Sequence, residues 1–328
     1  MLTRMKRKDM KSFTLRAGLT GAVIMATLLF ASPAWATFPG TNGQIAFAAL
    51  PTPDAPGKQI FTIEPNSTGL RQLTHLAGDA TSPHWSPDGT RIVFELDHPS
   101  GEPLCSVMLM NADGGGLTDL TGNQNGCEAT PSFTPDGTRI VFEHFNDSTG
   151  ADAIWSMNLS GADRHLITAG TGSGVTNPEV SPDGTTLSFV DANGQPLGQA
   201  LFTAHIDGTS LRQLTPFTLD VGIKQSWAPD GSRITLTSNA DFPDHLSPNV
   251  ATINPDGSDL RYLTHYNAGG AAAFTGSYSP DGHWIVFRHQ TKSTSTFGLF
   301  KMRPDGTRRA LIAELPFAPR GIDWGTHP

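Results

Sequence analysis

Polar residues suited to chemistry recur at two matching points of a repeated sequence. His84, Glu179 and Asp323 each come one residue before a recurring aromatic or apolar residue. A second set follows apolar, strand-like runs and consists of Glu95, Glu143, His144, Arg288 and His289. If a fold gathers such groups in one place, they can bind a ligand, hold a metal ion or move protons.

A simpler interpretation of these positions needs no catalysis. In other repeats the equivalents of His84 are Ser132, Ser226 and Ser277, as expected for polar side chains that line a wet channel or cap strand ends. The sequence has no His-Glu-x-x-His, Cys-x-x-Cys or Gly-x-Ser-x-Gly motif. We therefore predict no catalytic residues, no metal ligands and no cofactor. The two sets together become a candidate ligand site at the mouth of a channel.

The elements that position these residues come from a repeat, which begins with the segment 85–94, Trp-Ser-Pro-Asp-Gly-Thr-Arg-Ile-Val-Phe. Similar segments lie at 133–142, 180–189, 227–236 and 278–287, with a weaker copy at 41–47. The Asp (or Asn) of the motif recurs at steps of 46, 48, 47, 47 and 51 residues. A regular period of this length is typical of solenoids, propellers and arrays.

Each period predicts two β-hairpins. Pro-Asp-Gly favours a tight turn, and the aromatic and Ile-Val-Phe-like residues around it favour buried strands. A second segment, such as 107–121 or 201–215, is an apolar run followed by Asp-Gly and Leu-Thr, and it predicts a second hairpin. Two hairpins make a four-stranded antiparallel blade. The sequence therefore predicts an all-β, six-bladed β-propeller.

The chain ends predict how the ring closes. The first repeat has no innermost strand of its own, because its Asn-Gly turn lies close to the predicted mature start. Trp324 follows Tyr278 by 46 residues, which is the spacing of one more innermost strand. We expect the C-terminal strand to complete the first blade.

The N-terminal 36 residues have the pattern of a secretory signal peptide. Six basic residues precede an apolar run at 17–31, and Ala34-Trp35-Ala36 is a small-x-small cleavage site. The apolar run is short for a membrane span. We expect residues 1–36 to be removed and residues 37–328 to form a monomeric propeller, periplasmic or secreted, with no membrane span.

The charge of the mature chain argues against one class of partner. Removal of residues 1–36 takes six of the 22 basic and one of the 30 acidic residues, which leaves 16 and 29 and a net charge of −13. Because an acidic surface repels phosphate backbones, we expect no nucleic-acid binding.

The two cysteines, Cys105 and Cys127, fall in loops predicted to lie on the same face, one within a blade and one between blades. In an exported protein such a pair is expected to oxidise, so we predict a structural disulfide. The longest irregular stretches share this face, at 48–59, 96–103, 145–152, 238–248 and 265–277. The opposite face carries tight turns, so we expect a ligand to meet the loop-rich face.

The repeat resembles the WD40-like repeat of the TolB β-propeller family. The resemblance rests on aromatic-Ser-Pro-Asp-Gly-x-x-Ile-x-Phe followed by Met-Asn-x-Asp-Gly and Leu-Arg-Gln-Leu-Thr, and it covers nearly all of residues 37–328. It implies a soluble periplasmic propeller without known catalysis that binds envelope proteins and takes disordered peptide segments into its channel mouth. We expect the propeller alone, without the N-terminal α/β domain of TolB. The same repeat also occurs in propeller domains of peptidases and in sugar lyases.

Two functional hypotheses follow. The favoured one is an exported, non-catalytic propeller that binds a protein or peptide partner of the cell envelope on its loop-rich face. The alternative is a propeller enzyme, a metal-assisted lyase or lactonase acting on a carbohydrate-like ligand. Convergence of His84, Glu179 and Asp323 within metal-bonding reach of one another would favour the enzyme.

Overall fold

The structure is a computed structural model that describes residues 39–99, 104–122, 126–146, 148–171, 174–193, 198–239, 247–267, 270–291 and 296–328. The predicted signal peptide lies outside the described residues. Within this part, the regular elements are β-strands and one short 3-10 helix, Phe217–Leu219. No helix among the described residues has the length and apolar composition needed to cross a membrane.

The strands of the first half are Asn42–Ala49 (β1), Gln59–Ile63 (β2), Arg71–Gln72 (β3), Asp79–Trp85 (β4), Arg91–Asp97 (β5), Cys105–Asn111 (β6), Thr118–Asp119 (β7), Cys127–Phe133 (β8), Arg139–Asn146 (β9), Ala151–Asn158 (β10), His165–Thr168 (β11) and Gly174–Val180 (β12). Those of the second half are Thr186–Asn193 (β13), Gly198–His205 (β14), Arg212–Gln213 (β15), Val221–Trp227 (β16), Ile234–Ser238 (β17), Asn249–Ile253 (β18), Arg261–Tyr262 (β19), Ala271–Tyr278 (β20), Ile285–Thr291 (β21), Phe297–Met302 (β22), Ala310–Leu315 (β23) and Arg320–Thr326 (β24).

The all-β propeller class is confirmed, but the prediction of six four-stranded blades is wrong. The described residues form four separate four-stranded blades, ordered β24-β1-β2-β3, β12-β13-β14-β15, β16-β17-β18-β19 and β20-β21-β22-β23. Strands β4 to β11 form one eight-stranded sheet instead, joined where β6 pairs in parallel with β8. The joint is the predicted Cys105–Cys127 disulfide, which is confirmed. Its Cα atoms are 4.6 Å apart, close to the spacing of paired strands, so the neighbouring backbones can bond.

The first strand of each repeat lies next to the central channel. Strands β4, β8, β12, β16, β20 and β24 contact one another in this order, and β24 returns to β4. Strand β24 also pairs antiparallel with β1, with Trp324 opposite Ile45. The C-terminal strand therefore completes the first sheet and closes the ring.

Apolar side chains fill the spaces between neighbouring sheets, so each sheet is buried on both faces. In β1, Ile45 and Phe47 belong to the cluster shared with β21 to β24, whereas Ala46 and Ala48 belong to the cluster shared with β4 to β6. This alternation follows the two-residue period of a strand.

Local hydrogen bonds explain why Ser-Pro-Asp-Gly recurs. Ser86 Oγ donates to Asp88 Oδ1 at 2.6 Å and accepts from the backbone N–H of Arg91 at 2.9 Å. The backbone N–H of Thr90 donates to the same Asp88 oxygen at 3.0 Å. Burial alone would raise the pKa of Asp88, but the hydrogen bonds from Ser86 and Thr90 hold it below its usual value. The repeated Asp residues therefore build the turns of one end of the propeller, here called the turn face. The opposite end, which includes the Cys105–Cys127 disulfide, is the loop face.

Candidate ligand site at the channel mouth

The carboxylates before the inner aromatic positions bind the backbone of the neighbouring inner strand. Asp323 Oδ2 accepts the backbone N–H of Trp85 at 2.9 Å, and Glu179 Oε1 accepts that of Trp227 at 3.2 Å. Apart from β8, each inner strand is the edge of its sheet, so its channel-side N–H groups need acceptors other than a strand. These carboxylates supply them.

The same contact recurs with uncharged acceptors. His84 Nδ1 accepts the backbone N–H of Phe133 at 3.3 Å, and Ser277 Oγ accepts that of Trp324 at 2.7 Å. A histidine nitrogen accepts a hydrogen bond only when it carries no proton. Burial is the main cause that lowers the pKa of His84 to about 4. The Asp323 charge opposes this shift, and the Lys224 charge adds to it. The His84 ring is therefore neutral at neutral pH. The matching positions act as links between inner strands.

Charged groups meet beside a small cavity between the inner strands. Burial raises the pKa of Glu179 to about 7, with Lys224 opposing and Asp323 adding to this shift. Lys224 Nζ lies 4.0 Å from Asp323 Oδ1. The space between these strands, here called the inner cavity, is about 20 Å³, room for roughly one water molecule. It is lined by Ser82, Pro83, His84, Thr130, Pro131, Ser132, Asn177, Pro178, Glu179, Lys224, Gln225 and Gly321.

His84, Glu179 and Asp323 do not form a metal-sized cluster. Among the described residues, the group of three possible ligand atoms within 4.8 Å of one another is that of Glu95, Asp97 and Cys105. The Cys105 sulfur is already bonded in the disulfide, which leaves two carboxylates. The convergence expected of a metal-assisted enzyme is therefore not formed by the predicted residues.

Glu95 and Glu143 lie nearer the loop face than Glu179 and Asp323 do. Both bind Thr130, at an irregular point of strand β8. Glu95 Oε2 accepts the backbone N–H of Thr130 at 3.0 Å, and Glu143 Oε2 accepts the Thr130 hydroxyl at 3.2 Å. Thr130 has a φ of 47°, in the left-handed region, at a register shift of β8. Burial is the main cause that raises the pKa of Glu95 to about 7 and of Glu143 to about 8. Both side chains thus serve as clamps between neighbouring strands.

His144 and His289 pack against aromatic rings. The His144 ring lies edge-on to Trp155 at 5.8 Å, and His289 lies 4.9 Å from Tyr266 and 5.5 Å from Phe300. His144 Nδ1 is 3.3 Å from an oxygen of Glu128, without the geometry of a hydrogen bond. Because successive side chains of a strand point to opposite sides, these histidines do not join the preceding residues, Glu143 and Arg288.

Among the predicted site residues, Arg288 lines the cavity at the loop-face opening of the channel. This mouth cavity on the loop face has a volume of about 270 Å³. Its lining is Gln199, Gly222, Lys224, Thr237, Asn239, Phe274, Thr275, Arg288, Pro319, Arg320, Gly321 and Ile322. Lys224 and Gly321 line the inner cavity as well, so the two cavities adjoin at these residues.

The Arg288 guanidinium is held against the wall of the mouth cavity. It lies 3.7 Å from the ring centroid of Phe274, and Nη1 donates to the carbonyl of Pro319 at 3.4 Å. Its residue is 7% exposed, and its Nε has no hydrogen-bond partner among the described residues. Burial, and then repulsion from Arg320, lowers the pKa of Arg288 to about 10. The side chain is therefore charged at neutral pH and under-bonded.

Sequence reasoning missed Lys224, Asn239 and Arg320. One signal was present: Lys224 stands six residues before the turn Asp230, where other repeats have Ser82 or Thr130. A cation in place of a small hydroxyl marks this repeat as different. Arg320 and Asn239 carry no comparable signal, because neither belongs to the repeated segments.

A larger groove of about 540 Å³ lies on the turn face. Its lining includes Asp183 and Asp230, whose carboxylates bind their own turns through Thr185 and Ser232. These groups are already used by the fold. The mouth cavity, with an under-bonded buried cation, is the better candidate site.

Comparison with known proteins agrees with the fold. The family profile described as the TolB beta propeller domain matches residues 68–222. No curated protein sequence matches the chain. The structure of TolB from Acinetobacter baumannii is similar, with 20% identity and a TM-score of 0.70 over 89% of this chain and 69% of that chain.

Two further solved structures are similar. For a putative TolB from Agrobacterium tumefaciens the identity is 17% and the TM-score 0.65, over 86% of this chain and 92% of that one. For an oligogalacturonate lyase in complex with manganese the identity is 13% and the TM-score 0.53, over 84% and 74%. At these identities the likeness shows the fold alone.

Proposed function

The chain is a TolB-like β-propeller, and from this premise we propose that it is an exported, non-catalytic module that receives a protein or peptide segment at the loop-face mouth of its channel. The observation that carries the proposal is the mouth cavity, which is open to the loop face and lined by amide, hydroxyl and guanidinium groups around Phe274. Binding sites commonly combine such convergent polar groups with an apolar wall.

The hydrogen bonds made by the candidate acid–base residues support a non-catalytic role. His84, Glu179 and Asp323 each accept a backbone N–H from a neighbouring inner strand. A group that must keep such a bond to hold the fold is poorly placed to exchange protons with a substrate. A binding module needs no change at these positions.

The disulfide supports the export part of the proposal. Disulfides persist in oxidising compartments such as the periplasm, and the Cys105–Cys127 bond joins two strands of the described fold. The signal-peptide pattern of residues 1–36 and the TolB likeness agree with a location in the cell envelope.

A site-specific photo-crosslinker tests the proposal in cells that express the full chain. We expect a discrete protein adduct with the crosslinker at Asn239, in the mouth cavity, and none with it at Thr209, exposed near an Asp-Gly turn of the opposite face. Thr209 is the matched control, since both positions are polar. Adducts at Thr209 but not at Asn239 would contradict a loop-face site.

The second candidate is a lyase acting on an acidic polysaccharide, favoured by the fold likeness to the manganese-bound oligogalacturonate lyase. It is tested by incubating the purified protein with oligogalacturonate and manganese and following the unsaturated product by absorbance. Product formation that disappears in Glu179→Gln would support the lyase. The binding proposal predicts no product above a protein-free control.

A further inference from the structure

The mouth cavity concentrates positive charge in a protein that is acidic overall. Lys224, Arg288 and Arg320 line it, although the whole sequence has a net charge of −8. Among the described residues, the carboxylate within 4.0 Å of one of these three cations is that of Asp323, 4.0 Å from Lys224. Neither Arg288 nor Arg320 has an ion pair within 4.0 Å among the described residues. The mouth is thus an under-neutralised cationic pocket.

Other charged groups around this pocket are already paired. The Asp79 carboxylate feels the Arg320 charge, but its oxygen is 2.6 Å from Lys58 Nζ. Glu179 lies beyond Lys224, in the inner cavity. The charge that faces the opening is therefore that of Arg288 and Arg320, with Lys224 partly neutralised at the floor.

The Arg288 guanidinium lacks hydrogen-bond acceptors. A guanidinium has five N–H donors, and the described partner of Arg288 is one carbonyl at 3.4 Å. Leaving a buried donor without an acceptor is costly, most of all for a charged group. The guanidinium lies 3.7 Å from the Phe274 ring centroid, and this cation–π contact restricts its position while its Nε lacks a partner. A planar acceptor with two oxygens fits this arrangement.

On the basis of the proposed function, we propose that the mouth cavity is a carboxylate site and that the segment it receives is acidic. Arg288 binds the carboxylate, Arg320 attracts it from the rim, and Asn239, Gln199 and Thr237 offer hydrogen bonds to the peptide backbone beside it.

The dimensions of the channel favour a short end or turn of a peptide. A volume of about 270 Å³ lies at the lower limit of small-ligand pockets, and the inner cavity of about 20 Å³ below it stops further entry. A sugar acid is the competing source of a carboxylate. The peptide is favoured because one face of Phe274, the aromatic residue of the cavity lining, is covered by Arg288 and is not open to stack on a sugar ring.

Calorimetric titration with blocked tetraglutamate and blocked tetraglutamine, on protein purified after expression of the full chain, tests the inference. We expect tetraglutamate to bind at least about tenfold more tightly than tetraglutamine, as for a charge-assisted hydrogen bond in a partly buried site. Its affinity should fall with added NaCl. Equal binding of the two peptides, or no binding of either, would overturn the inference.

Charge variants locate the site. Arg288→Gln should weaken tetraglutamate binding at least about tenfold and Arg320→Gln about threefold, because Arg320 is exposed and screened. Arg308→Gln is the matched control, an exposed arginine of the hairpin between β22 and β23, and should bind like the parent. If Arg288→Gln does not fold, the rim variant Arg320→Glu is tested instead. It should weaken tetraglutamate binding about tenfold. Parent-like binding in these mouth variants would overturn the site.

Three further outcomes separate the proposals. Binding of trigalacturonate without binding of tetraglutamate would overturn the acidic-peptide inference in favour of a sugar acid. A protein adduct at Asn239 that is unchanged by Arg288→Gln and Arg320→Glu would leave the proposed function standing and overturn the carboxylate inference. Loss of the adduct in these variants, but not in Arg308→Gln, supports both.

Discussion

The carboxylate of Asp323 accepts the backbone N–H of Trp85 at 2.9 Å, across 238 residues of chain. It thereby joins the last strand of the propeller to the first strand of the next sheet. Both residues are nearly inaccessible, with 6% and 3% of their surface exposed. Loss of such a buried hydrogen bond destabilises the fold by more than its net contribution, because the N–H is left without a partner and away from water.

Removal of this acceptor should destabilise the protein. We expect Asp323→Ala to lower the free energy of unfolding by about 2–3 kcal/mol, since the buried Trp85 N–H loses its partner. Asp323→Asn, which keeps an acceptor oxygen, should lose clearly less. Urea unfolding followed by tryptophan fluorescence measures both variants. Equal losses in the two would show that charge, through Lys224, matters more than the hydrogen bond.

Reduction of the disulfide should weaken the eight-stranded sheet. The bond closes a loop with a sequence separation of 22 residues, for which about 3 kcal/mol of stabilisation is expected. Urea unfolding with and without reductant should show this loss. The double variant Cys105→Ser/Cys127→Ser is the control and should not respond to reductant. A parent protein equally stable in both conditions would contradict the prediction.

Substitution of Gly89, in the first Pro-Asp-Gly turn, should destabilise the protein more than substitution of Gly184, in the third. Gly89 and Gly184 both have left-handed φ angles, 67° and 75°. A Cβ at Gly89 would lie 2.4 Å from the carbonyl oxygen of Thr326 in β24, whereas a Cβ at Gly184 would meet nothing within 4 Å. Gly184→Ala should therefore cost about 1 kcal/mol of backbone strain, and Gly89→Ala about 1–3 kcal/mol more. Similar melting temperatures for the two variants would contradict this.

Glu143 should make the protein less stable as the pH rises. Burial raises its pKa to about 8 in the folded protein, above the unfolded value of 4.5. The folded state then binds the proton more tightly, so this contribution is fully present below pH 4.5 and is lost as the pH rises toward 8. Glu143→Gln should flatten the fall in unfolding free energy between pH 5 and pH 8, as measured by urea unfolding at several pH values. An unchanged slope would show that Glu143 is not protonated in the fold.

The contribution of His84 to stability changes with pH in the opposite direction to that of Glu143. Its pKa is about 4 in the folded protein and 6.5 when unfolded, mainly because of burial. The unfolded state then binds the proton more tightly, so the contribution is present above pH 6.5 and is lost as the pH falls toward 4. His84→Asn keeps an acceptor for Phe133 and should reduce the loss of stability between pH 6.5 and pH 4. A steeper loss in the variant would contradict the prediction.

Much of the fold could be predicted because its signals are local. The hairpins follow from Pro-Asp-Gly turns such as that of Asp88, and the disulfide and the pairing of β24 with β1 follow from the spacing of repeats. The prediction of six separate four-stranded blades was wrong at one place. The bridge between β6 and β8 depends on how closely Cys105 and Cys127 bring two backbones, a distance that no motif encodes.

The sequence by itself determined the repeat, the turns and the two-sided burial of each strand, because these depend on residues a few positions apart. Only the tertiary structure decided what the polar positions do. It places Glu179 and Asp323 on neighbouring backbone N–H groups, and it gathers Arg288 and Arg320 with Lys224 around one opening. The physical reason is the radial arrangement of the strands: neighbours across the channel come from distant repeats, and their meeting depends on bulges and side-chain directions rather than on sequence distance.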